Sequence, residues 1–275
     1  MTPSTKLPLK PTKVLGILKE LRVSADTDRP LVVTGARELV SVLTRELTRG
    51  GVAAAVREQG PVEGGIALVH ILAGAVDDDD ERVLKEAAHV RIPIIVVTRD
   101  DPGHIPYVLD QNLVRVGPGN ALPIEEIATR LARALGEAAT PLAARLPALR
   151  RPVCEELIRK FSRQNGFIGV VFFIPGADLP VLTLNQIRLL LRIADAYGFE
   201  IDGERLPEVL AVIGSGFGFR ALARHGVGLV PLVGWVLKGG IAYVGTRALG
   251  EAAVRYFERR APVTRVAGAR TLFPR

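Results

Sequence analysis

The sequence predicts an α/β N-terminal domain followed by an all-α, glycine-rich C-terminal domain. Three observations carry this. Short apolar runs alternate with amphipathic helical patterns over the first half of the 275 residues, the mark of a mostly parallel sheet covered on both faces. A stretch rich in Pro and Arg then interrupts the alternation. Beyond it every apolar pattern has helical period, and apolar stretches such as residues 209–219 and 226–237 are studded with glycine.

Taken in order, residues 1–13 read as a flexible leader rich in Pro, Lys and Thr, without the continuous apolar stretch of a secretory signal. The α/β domain is expected over 14–139. A strand at 30–34 leads to a helix at about 36–49 and an edge-like run at 52–56. A buried strand at 66–73 precedes a helix at 78–89. A strand at 92–98, a short run at 113–116 and a helix at 123–138 complete the set. Residues 140–152 are expected to be a linker. The helical domain is expected over 153–260, with Pro152 at the first position of its first helix. Thr183 and Gln186 would form a capping box for a helix over 184–197, stopped by Gly198. Asp202-Gly203 would turn the chain into the glycine-rich segments, and 261–275 would be a loose tail.

Composition narrows the function. The first 140 residues carry a balance of −2 and the remainder +9, which together give the chain its net +7. A cationic, apolar half suits an anionic membrane surface or a membrane-bound protein. With aromatics at only 5%, the stacking platforms of nucleic-acid readers are missing, so no nucleic-acid partner is expected. Arginines that merely keep an apolar domain soluble would give the same composition. One cysteine, Cys154, rules out an intrachain disulfide. It is expected at the opening of a helix as a packed, inert thiol, and none of the four histidines lies at catalytic or metal spacing to it.

A nucleotide site is tested at the ends of the strands. Gly35 follows the first strand, but Val40, Ser41 and Val42 stand where a phosphate loop needs glycine, lysine and a hydroxyl. Asp77–Glu81, five consecutive acids, fit the positive end of a helix better than a cation site, because consecutive helical residues diverge. The stretch Gly214-Ser-Gly-Phe-Gly218 matches neither a dinucleotide loop nor a nucleophile elbow. No catalytic residue, metal site or cofactor is expected.

In the glycine-rich region the longest charge-free run, 225–237, is shorter than the ~20 residues of a spanning helix. Extending it to residue 246 places Lys238 inside, at about 2.5–3.5 kcal/mol if central. Pro231 and the paired glycines point to a broken or hairpin segment embedded in the membrane. Apolar helices hidden against one another in a soluble domain are the alternative.

The C-terminal half resembles the YcjF-like family of unknown function, a membrane-associated helical domain that often follows Ras-like GTPase domains. Ile174-Pro-Gly-Ala-Asp-Leu-Pro180, Gln186-Ile-Arg and Ile193-Ala-Asp-Ala-Tyr-Gly198 carry the resemblance. It continues through Gly214-Ser-Gly-Phe-Gly-Phe-Arg-Ala-Leu-Ala-Arg224, Val230-Pro-Leu-Val-Gly-Trp-Val236, Gly245-Thr-Arg-Ala-Leu-Gly-Glu-Ala-Ala253 and Tyr256-Phe-Glu258. The N-terminal half is similar in element order to a Ras-like GTPase domain, with Gly35 at the place of the first phosphate-loop glycine and Asp101 at that of the guanine-reading aspartate. The missing lysine, hydroxyl and switch motif imply a pseudo-GTPase.

Together these readings predict a non-enzymatic, membrane-associated adaptor or assembly protein on the cytoplasmic side. Arg220, Arg224 and Lys238 would contact anionic headgroups or a partner's acids, and Trp235 would seat the hairpin. Homo-oligomerisation in water is one alternative. A nucleotide- or anion-binding switch with a non-standard site is another.

Overall fold

The computed structural model describes residues 28–99, 103–117, 121–171, 179–200, 234–261 and 270–271. They fall into two compact units, with the boundary between Val153 and Cys154.

The first unit is a five-stranded, all-parallel sheet: β1 (Leu31–Gly35), β2 (Val56–Glu58), β3 (Ala67–Ile71), β4 (Ile94–Thr98) and β5 (Leu113–Arg115), in the order β2-β1-β3-β4-β5. Strands β3 and β4 are buried at every position, so their sequences are apolar runs and not alternations. The helices are α1 (Arg37–Thr48), α2 (Asp78–His89), α3 (Ile124–Leu135) and α4 (Thr140–Arg145). Helix α1 buries Val40, Leu43 and Leu47, which share one face at helical spacing. Leu84 and Ala87 of α2 close a core with Val32, Leu68, Ile94 and Val96. Each such large side chain withdrawn from water contributes roughly 1.5–3 kcal/mol.

The expected elements are present, with instructive shifts. The run at 52–56 is a 3-10 turn, Ala53–Ala55, and pairing begins only at Val56. The helix expected to reach 138 ends at Leu135, because Gly136 adopts φ +57° and a 3-10 turn, Gly136–Ala139, follows. Residues 140–152, expected as a linker, include α4 (Thr140–Arg145) and the start of a second helix at Pro147. Thr140, Pro141, Leu142 and Ala143 are buried. Arg145 ties α4 to the carbonyls of Asp28 and Arg29, at 3.2 and 2.7 Å. Burial holds its guanidinium below the ordinary arginine range, with Asp28 pulling the other way.

The second unit is built on α5 (Pro147–Val171) from Cys154 onward, on α6 (Leu179–Ala196) and on α7 (Gly234–Glu258), with a short parallel pair, β6 (Phe199–Glu200) and β7 (Arg270–Thr271). Pro147, not Pro152, opens α5, and Pro152 lies within the helix. Cys154 is therefore an interior helical residue, fully buried, and not at a helix start. Helix α6 starts at Leu179, four residues before the expected cap at Thr183, and Pro180 is tolerated there in a first turn whose N–H groups have no intrahelical partner anyway. Gly198 at φ +70° ends it as expected. The tail expected at 261–275 contributes β7. The segments 201–233 lie outside the described residues. From Gly234 onward α7 is one continuous helix through Lys238 and the paired glycines, with no break there.

Glycine in α7 serves close approach. A Cβ on Gly239 would lie 2.8 Å from the carbonyl oxygen of Gly166 and 2.5 Å from Val170 Cγ2, and one on Gly250 would lie 2.5 Å from Ile158 Cγ1. Rising numbers on α5 thus meet falling numbers on α7, so the two helices run antiparallel. Among the described residues no helix is long and apolar enough to cross a membrane.

Candidate functional site

In this strand order the chain leaves β1 toward one edge of the sheet and β3 toward the other. The carboxyl ends of β1 and β3 form the switch point at which such sheets bind ligands. Gly35 stands there at φ +102°, and a Cβ on it would come within 2.1 Å of the Ile71 carbonyl oxygen. The same oxygen accepts the Ala36 N–H at 2.9 Å. Helix α1 begins at Arg37, leaving one residue between strand and helix. A phosphate-wrapping loop needs several backbone N–H groups arranged around an anion, and this connection has no length for them. Gly35 is accounted for by strand packing. Asp101 lies outside the described residues.

Sequence reading missed the polar chain beneath that point. Register places Thr34 of β1 opposite His70 of β3. Thr34 Oγ1 lies 2.8 Å from His70 Nδ1, and His70 Nε2 lies 2.8 Å from Asp80 Oδ1. The Asp80 carboxylate accepts, so Nε2 carries a proton, and in the neutral imidazole Nδ1 is then the acceptor for the Thr34 hydroxyl. This is the donor order of a nucleophile–histidine–aspartate triad. Yet Thr34 and His70 are only 5% and 2% exposed, within strands, where no reacting atom could approach the hydroxyl. The chain instead anchors the start of α2 to the sheet. Asp77 accepts from the Asp80 N–H at 2.8 Å and Asp80 from the Asp77 N–H at 3.2 Å, a reciprocal capping box. The acids at 77–81 thus cap a helix, as their position suggested. A hydroxyl and an imidazole ending two adjacent strands were the available signal for this chain.

The other candidate is one end of the helical unit. Four side chains from its three helices meet in an amide node. Asn165 Nδ2 donates to Thr246 Oγ1 at 2.8 Å, and Asn185 Nδ2 donates to Asn165 Oδ1 at 3.0 Å. Gln186 Nε2 donates to Thr246 Oγ1 at 3.4 Å. Asn165 and Thr246 are fully buried. On one side of the node lies a closed core that includes Leu157, Phe161, Leu190, Ile193 and Phe257. On the other side, Ile168, Leu182, Leu184 and Ile241 are only half-buried. Phe167 is 69% and Val244 62% exposed, and Val170 and Val181 are exposed beside them. Glycine at a close helix crossing and an amide cross-link are the devices that hold helices together where burial cannot.

Of the contact residues expected from sequence, Arg220 and Arg224 lie outside the described residues. Trp235 and Lys238 lie in the first turns of α7, at the apolar end of the unit. No known protein-family model matches the chain, and no curated protein matches it.

Proposed function

We propose that the protein is a non-enzymatic, membrane-associated adaptor or assembly protein whose helical unit docks by its apolar end. The carrying observation is the location of the apolar surface. All four exposed large apolar side chains described in the helical unit, Phe167, Val170, Val181 and Val244, lie beyond the amide node, outside the core formed by the described residues. The YcjF-like resemblance of this half, and the pseudo-GTPase character of the other, agree with that reading. The cytoplasmic face of a membrane is the location it implies.

In the α/β unit, the closed β1–α1 connection and the buried Thr34–His70–Asp80 chain argue for a scaffold and against turnover. A partner surface is offered by the connection between β4 and β5. Tyr107 is half exposed there and holds φ +66°, unusual for a bulky residue, and Leu109 is 62% exposed.

Two experiments test the proposal. Native cells fractionated in low salt, high salt and detergent should yield the protein with membranes, released by detergent or salt and not by buffer alone. Recovery in the soluble fraction under all three conditions would contradict it. A thermal-shift screen with GTP, GDP, ATP and magnesium should give no shift. Ligand at a hundredfold over its Kd would stabilise by ≈ 2.7 kcal/mol, so a clear shift would favour the nucleotide-switch alternative.

A further inference from the structure

We draw no further inference here: the strongest candidate, the exposed apolar surface patch of Tyr107 and Leu109 on the connection between β4 and β5, carries nothing beyond the partner surface already described, because nothing in the structure shows what covers it.

Discussion

Gly35 shows how a single residue separates two functional readings. Its position at the end of β1 invites comparison with a phosphate loop, but the Ile71 carbonyl occupies the space a side chain would need. Gly35→Ala should therefore cost at least about 3 kcal/mol in urea unfolding, through backbone clash and a left-handed φ, without altering any nucleotide response. His70→Leu should cost about 2–4 kcal/mol, since Thr34 and Asp80 lose a buried partner together. Thr34→Val should cost less, roughly 1–2 kcal/mol, because only one bond goes. Loss below 0.5 kcal/mol in His70→Leu would mean that the polar chain contributes nothing to the fold. None of this was legible in sequence beyond the polar residue types themselves, since His70 and Asp80 meet only once α2 folds back across β3.

Helices and strands were legible where periodicity and burial coincide. The α2 boundaries, Asp78 and His89, follow from its acidic cap and its apolar stripe. Asp77→Ala should destabilise by about 1 kcal/mol. The errors cluster at prolines and glycines, whose local meaning depends on packing. Pro152 looks like a helix start, but Pro147 takes that role and α5 accommodates the second proline inside. Lys238 and Gly239-Gly240 look like a break, but α7 runs on because Gly239 is where α5 approaches. Enlarging that contact, as in Gly239→Leu, should force the helices apart and lower the melting temperature by several degrees. Thr246→Val removes the acceptor shared by Asn165 and Gln186 and should cost roughly 1–3 kcal/mol. The amide node itself was invisible in sequence, because its members lie 81 residues apart at the extremes.

For the whole molecule, sequence conveyed the division into an α/β half and a helical half because the two obey different periodicities. What it conveyed about function was compositional: cationic charge beside apolar, glycine-rich helices. Structure adds direction to that composition. Among the described residues, the exposed large apolar side chains of the helical unit lie beyond the amide node and the closed core lies behind it, so the unit has one oily end, which also carries Lys238. The claim that this oily end is made for a membrane is tested most directly by floating the purified, monodisperse chain with anionic vesicles in a sucrose gradient. The account predicts that it rises with the lipid, and protein left at the bottom while the vesicles float would contradict it.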